Sequence, residues 1–264
     1  MRIVSKYLAI SVLMVFISLP AFSQKVLSAI LKRGEIRIGT SGNQPPFTMK
    51  AKNGELIGYE VDLAKALAKN MGVKLKLVEM PFSDLLGALK AGKIDAVMSG
   101  MTMTPERNLE VLFAGPYILS GKSILTKSAL ISEISAGNTD KKYKIVTLKG
   151  STSVEFVKNY MPKHELILVD NYNAGVDMVL NDKAHAMVAD KPICVVTMMK
   201  NQGKDLVISD KPLTIEPIGM ALPPDDPQFL NLVENYISSL EISGNLPLLE
   251  KTWFQDGAWM LNVE

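Results

Sequence analysis

The run Ser99-Gly100-Met101-Thr102-Met103-Thr104-Pro105-Glu106-Arg107 carries the residue types of an anion-binding device. Thr104 is a favourable N-cap and Pro105 a favourable first helical residue, which puts Arg107 in the first turn of a short helix. A cation is out of place there, because the helix dipole makes that end positive. A negative group nearby would reward the arrangement. Ser99 and Thr102 add hydroxyls at the end of the strand-like run Ile94–Met98, where open α/β sheets hold ligands. The structural alternative is a surface pairing of Arg107 with Glu106, Glu110 or Asp95.

Other residue types that could carry chemistry are sparse. His164 and His185 are the only histidines, far apart and without cysteine or carboxylate at metal-ligand spacing, so no metal site is expected. No P-loop, dinucleotide fingerprint or Gly-x-Ser-x-Gly elbow occurs, so no cofactor is expected either. The single cysteine, Cys194, lies in an apolar stretch and reads as a buried thiol. Met98, Met101 and Met103 read mainly as adaptable core filler, and Trp253 and Trp259 as packing anchors.

The first 23 residues read as a cleavable secretory signal: Arg2 and Lys6, an apolar stretch from Tyr7 to Leu19, then Ala21-Phe22-Ser23. The expected location is therefore the periplasm. Removing this segment leaves 27 of the 29 basic residues against 27 acidic ones. A balanced mature chain gives no reason to expect a nucleic-acid or anionic-membrane partner. Hydrophobic residues at 47% are ample for a packed core.

Short β-like runs alternate with amphipathic helices, which makes the fold class α/β. The expected strands are Glu35–Gly39, Val73–Met80, Ile94–Met98, Ile145–Leu148, Leu166–Val169 and Ala184–Ala189. Between them lie a helix from Val61 to Met71 ended by Gly72, one capped by Ser83 and closed by Gly92, one from Val154 to Met161, and one capped by Asn173. The segment 86–100 aligns without gaps with 176–190, pairing Lys93 with Lys183 and Ala96 with Ala186. That shared helix–turn–strand grammar sets Ser99-Gly100 opposite Ala189-Asp190 and predicts two similar lobes facing each other across a cleft.

With these pieces in place the chain resembles the periplasmic amino-acid-binding proteins of ABC transporters, the bacterial solute-binding family 3 type. The residues carrying the resemblance are Gly39-Thr40 with Pro45-Pro46-Phe47, Gly54-Glu55-Leu56-Ile57-Gly58-Tyr59-Glu60-Val61-Asp62-Leu63-Ala64, Ser99 to Arg107, Gly115-Pro116-Tyr117, Gly150-Ser151-Thr152, Val188 to Pro192, and Glu250 to Phe254. They span essentially the whole mature chain. The resemblance implies a two-lobed, type II periplasmic-binding-protein fold, two α/β lobes joined by two hinge strands. The first lobe would comprise 24–121 and 215–264, and the second 122–214, with crossings near Leu119–Lys127 and Pro212–Leu222.

Carried over to this sequence, the resemblance implies that Arg107 grips a ligand α-carboxylate as a bidentate fork. Thr102, with backbone at Ser99 or Gly100, would share the carboxylate and amine. Thr152 would present helix N–H groups to the same carboxylate, and Asp190 would pair with the α-ammonium, although a strand-end Asp also caps turns. Many relatives carry an aromatic residue where Gln44 stands, and those preferring cationic side chains often place an Asp near Ser41. Here Ser41 to Gln44 contains no acid. Phe82 matches another wall position, while Phe47 reads as core. The side-chain pocket therefore reads as polar to neutral and poorly suited to Lys or Arg.

The function implied is capture of an amino acid or similar small zwitterion and delivery to an ABC permease, by a monomer without enzymatic activity. Two rivals share the scaffold. One is an exported dehydratase of the arogenate or prephenate type, which needs a general acid in the cleft. The other is a ligand-binding sensor component that works through a membrane partner.

Overall fold

The computed structural model describes residues 25–135 and 140–263. The segment read as a signal, residues 1–23, lies outside the described residues. The first lobe opens with α1 (Lys25–Arg33), β1 (Glu35–Thr40) and a small ribbon of β2 (Met49–Lys50) and β3 (Leu56–Ile57). It continues with α2 (Tyr59–Asn70), β4 (Lys74–Glu79), α3 (Leu85–Lys90), β5 (Ala96–Val97), α4 (Pro105–Asn108) and β6 (Leu112–Ser120). The apolar face foreseen for α2 is buried through Val61, Leu63, Ala64, Leu67 and Ala68, and the chain turns away at Gly72 with φ +67°.

The second lobe contains β7 (Lys122–Lys127), α5 (Ser128–Ser135), β8 (Lys144–Leu148), α6 (Thr152–Tyr160), β9 (Glu165–Val169) and α7 (Tyr172–Leu180). It ends with β10 (Ala186–Asp190), α8 (Lys191–Lys200) and β11 (Leu206–Ile208). The chain then returns through β12 (Glu216–Leu222) to α9 (Pro227–Ile242) and α10 (Asn245–Glu250) beside the first sheet.

Four helix starts differ from the sequence expectation: α2 begins at Tyr59 rather than Val61, α6 at Thr152 rather than Val154, and two involve other caps. Ser83 does not cap α3: a 3₁₀ turn, Phe82–Asp84, closes on Pro81, and Asp84 is the residue preceding the α-helix. Asn173 lies inside α7, because Asn171, two residues earlier, is extended and its side chain accepts the Ala174 N–H at 2.9 Å. The ladder of Ile94–Met98 is also shorter, confined to Ala96–Val97.

The strand orders are β4-β1-β5-β12-β6 and, read from the corresponding edge, β9-β8-β10-β7-β11. In each sheet the first three strands run parallel, the fourth runs antiparallel to them, and the fifth, antiparallel to the fourth, again follows their direction. The internal alignment is visible in the register. Ala96 faces Ile38 and Val97 faces Gly39, just as Ala186 faces Ile145 and Met187 faces Val146. Strands β5 and β10 are thus equivalent central strands, and their C-terminal ends meet at one seam.

Gly121 alone separates β6 from β7, so the first crossing is a nearly continuous strand. The returning segment binds it through Leu213 N–H to Lys122 O at 2.8 Å. A Cβ on Gly121 would stand 2.2 Å from Thr214 O, so a side chain there would wedge the two crossings apart. One core cluster fills the first lobe around Ile38, Tyr59, Leu63, Met220 and Phe229. A second runs from Leu85, Leu89 and Phe113 to Leu148, Tyr172, Met187 and Ile193, so apolar contact is continuous across the seam.

Candidate functional site

The helix start at Thr104 forms as its sequence dictates. Thr104 is extended, with φ −126°, and its hydroxyl accepts the Arg107 N–H at 3.2 Å. The preceding residues are pinned to the return strand: Met103 N–H donates to Pro217 O at 2.8 Å, and Gly219 N–H donates to Met101 O at 3.1 Å. This backbone clamp aims Arg107 into the seam. Its Nη1 donates to Thr102 O at 2.7 Å, in its own lobe, and its Nη2 to Gly150 O at 2.9 Å, in the other. The guanidinium also lies over the Phe82 ring, 5.8 Å from the centroid.

Surface pairing does not account for Arg107: two of its three candidate partners are engaged elsewhere, and the third, Glu106, is the weakest of the charges acting on it. Asp95 is buried and holds Arg37 at 2.7 Å and Arg33 at 2.5 Å. Glu110 pairs with Lys90. The charges that do act on Arg107 come from Asp190 and Glu216, with smaller contributions from Tyr172 and Glu106. Burial pulls the guanidinium below its usual basicity, and Asp190 and Glu216 oppose that.

Across the seam, Gly150 has φ +76° and approaches closely, since a Cβ there would sit 3.3 Å from Ser83 Cα. Thr152 opens α6; its hydroxyl donates to Glu216 Oε2 at 3.1 Å and lies 3.5 Å from the Thr102 hydroxyl. Asp190 ends β10 and is buried. It makes no side-chain cap to α8. Instead Oδ1 receives Lys122 Nζ at 2.6 Å. The same ammonium stands 3.7 Å from Glu216 Oε2, and Glu216 Oε1 accepts the Thr214 hydroxyl at 2.9 Å.

Arg107, Thr102, Thr152, Asp190 and Phe82 therefore converge. Ser99, Ser41, Gln44 and Gly100 gather beside them on the first lobe. Gln44 is fixed rather than free: its Oε1 accepts the hydroxyls of Ser41, at 2.8 Å, and Ser99, and its amide bonds the Tyr172 hydroxyl from the other lobe. Ser99 Oγ also accepts the Ser41 N–H at 3.0 Å. Gly100, with φ +57°, donates its N–H to Glu60 Oε1 at 2.8 Å. Phe47 is core, edge-on to Phe254 at 5.3 Å.

Lys122, Glu216, Tyr172 and Glu60 were not singled out by sequence. Lys122 and Glu216 stand in hinge-strand sequence where charged residues ordinarily face water. Only the crossing of β7 and β12 turns both inward. Glu60 is fully buried; Oε1 takes the Gly100 N–H and the Tyr117 hydroxyl at 2.5 Å, while Oε2 has no partner among the described residues. Burial pushes its carboxyl up to about 7. Burial likewise raises the Tyr172 hydroxyl, with Asp190 adding to the effect, and pushes the Cys194 thiol up to about 12. The histidines serve the backbone: His164 Nδ1 accepts the Tyr143 N–H at 3.3 Å and His185 Nδ1 the Lys144 N–H at 2.9 Å.

Comparison with known proteins agrees with this architecture. The chain is 27% identical over 225 residues to the ABC transporter arginine-binding protein 1 of Escherichia coli K12, covering 83% of this chain and 90% of that protein. A putative binding component of an ABC transporter from Wolinella succinogenes, crystallised with lysine, is 38% identical. It superposes with a TM-score of 0.81, covering 87% of this chain and 99% of that one. The ancestral amino acid-binding protein AncCDT-1, described as a precursor of cyclohexadienyl dehydratase, is 36% identical. Its TM-score is 0.80, covering 88% of this chain and all of that one. The model of the family described as bacterial extracellular solute-binding proteins, family 3, matches residues 36–256. With that match over most of its length, and with two lobes meeting at Arg107, this chain belongs to family 3 of the bacterial extracellular solute-binding proteins.

Proposed function

We propose that this protein captures an amino acid or a similar small zwitterion between its lobes in the periplasm and delivers it to an ABC permease. It acts as a monomer, without a cofactor and without catalysing a reaction. The observation that carries this reading is the position of Arg107. Its guanidinium lies half-buried at the seam, with one nitrogen bonded to each lobe's backbone and Asp190 close by. A ligand carboxylate replacing those carbonyls would be held by Arg107 from the first lobe and by the helix start at Thr152 from the second, and its ammonium would find Asp190. Thr102, Thr152, Ser99 and Gly100 would complete the carboxylate and ammonium contacts, with Phe82 backing the guanidinium. Ser41 and Gln44 would form a neutral polar wall. The moving bodies would be 24–121 with 215–264, against 122–214, hinged at Gly121 and its neighbours.

A thermal-shift screen of the mature protein against amino acids, their analogues, sugars and divalent metals tests this. Amino acids are expected to raise Tm; a shift confined to sugars or metals would overturn the reading. A second reading, dehydration of a cyclic carboxylate, is favoured by one observation: Glu216 places another carboxylate among Arg107, Thr152 and Asp190. Appearance of aromatic product on incubation with arogenate or prephenate would establish it over binding alone.

A further inference from the structure

Lys122 is the residue this site uses least obviously. Its side chain is 1% exposed, and its ammonium is held by Asp190 and Glu216 together. The two strands carrying it and Asp190 are antiparallel neighbours with Lys122 directly opposite Asp190. Its backbone is fixed as well, through Thr214 Oγ1 and Leu213 N–H. Burying an ion pair seldom stabilises a fold more than apolar residues of equal volume would, so stability alone gives no reason for a lysine here. Its location does. The ammonium sits among the acids that a cationic ligand would need.

We propose that Lys122 sets the charge class of the ligand, admitting amino acids with neutral side chains and rejecting those with cationic ones. This rests on the amino-acid-binding reading above. Arg107 and Lys122 bring two positive charges to the seam, and Asp190 and Glu216 two negative ones, so these four groups balance. A zwitterion keeps that balance. Its carboxylate answers Arg107, and its ammonium shares Asp190, whose carboxylate has capacity beyond the single bond to Lys122. A ligand with an added side-chain cation finds the hinge-strand acids already engaged, and Glu60, behind Gly100, is fully buried with its carboxyl pushed toward the neutral form by that burial. Glu216 already receives Thr152 and Thr214 and faces the Lys122 ammonium, and that ammonium repels a second cation in a desolvated cleft. The Ser41–Gln44 wall supplies no acid to compensate.

The test is calorimetric titration of the parent, Lys122→Met and Glu216→Gln with a panel of neutral (glutamine, serine, cystine), cationic (arginine, lysine, ornithine) and acidic (glutamate, aspartate) amino acids. The parent is expected to bind its tightest neutral ligand at least tenfold more tightly than its tightest cationic one. Lys122→Met, which keeps the stem and removes the charge, should bring that ratio to unity or reverse it. Glu216→Gln should move preference at least tenfold toward acidic ligands. If Lys122→Met does not fold, the parent and Glu216→Gln decide the matter. A parent that binds arginine or lysine as tightly as any neutral ligand, or ratios unmoved in the folded variants, would overturn the role of Lys122 and leave amino-acid binding standing. A folded parent that binds no amino acid overturns both.

Discussion

Arg107 shows how a residue acquires a role from its local frame. Thr104 and Pro105 determine where the helix starts, and the start aims the guanidinium at two backbone carbonyls in different lobes. Arg107→Ala is expected to weaken amino-acid binding by about 2–5 kcal/mol, because truncation leaves the ligand carboxylate desolvated without its charge partner. Calorimetry on a variant of unchanged circular dichroism checks this, and affinity equal to the parent's would dismiss the assignment. Glu60 yields a pH prediction. Its folded carboxyl titrates near 7 against 4.5 unfolded, so its contribution to stability is full below pH 4.5 and is lost as pH rises through 7. The loss is about 3 kcal/mol. Glu60→Gln should remove that component, so the parent-minus-variant difference in unfolding free energy should decline from pH 4.5 to 8. A difference that stays flat across this range would show that Glu60 titrates normally.

At the scale of elements, the hinge is built from β6, β7 and β12, with contacts too close for side chains at one point. Gly121→Ala places a methyl 2.2 Å from Thr214 O, which the two crossings accommodate only by separating. The expected cost is about 1–3 kcal/mol of stability, measured by denaturant unfolding. The same displacement should weaken ligand affinity, since Leu213 N–H, Lys122 O and Lys191 N–H to Gly121 O tie the crossings to Asp190. Unchanged stability would mean that the strands can slide apart without penalty. A helix start was legible in the sequence where a capping Thr and a following Pro agreed, as at Thr104, while the apolar period of Val61 to Met71 revealed the helix but not its first turn at Tyr59. Starts were misplaced at Ser83 and Asn173, where several capping residues stand close together and only the backbone conformation selects one. Strand β5 was legible by its apolar run, but its length was not, because pairing partners limit the ladder.

For the whole molecule, the proposed function makes closure and ligand capture one equilibrium. A saturating amino acid at a hundred times its dissociation constant should add about 2.7 kcal/mol to unfolding stability. Arg107→Ala at the same ligand concentration should show little of that gain. Small-angle scattering with and without ligand measures how far the lobes travel, and the same ligand should be what shifts both readouts. Alternation of strands and helices, the Thr104–Arg107 device and the correspondence of 86–100 with 176–190 were local patterns, so the sequence by itself determined an α/β chain of two related halves with Ser99-Gly100 and Ala189-Asp190 at matching strand ends and Arg107 in the helix start that follows the first. The register of Ala96 with Ile38 and of Ala186 with Ile145 expresses that repeat directly. The tertiary structure alone decided that Asp190 is shared with Lys122, that Glu216 and Tyr172 reach the seam, and that Gln44 is pinned by Ser41, Ser99 and Tyr172. The physical reason is range. Propensity, capping and periodicity act within a few residues, whereas these contacts join strands and loops far apart in the chain, whose inward or outward facing is settled only when both crossings and both sheets are in place.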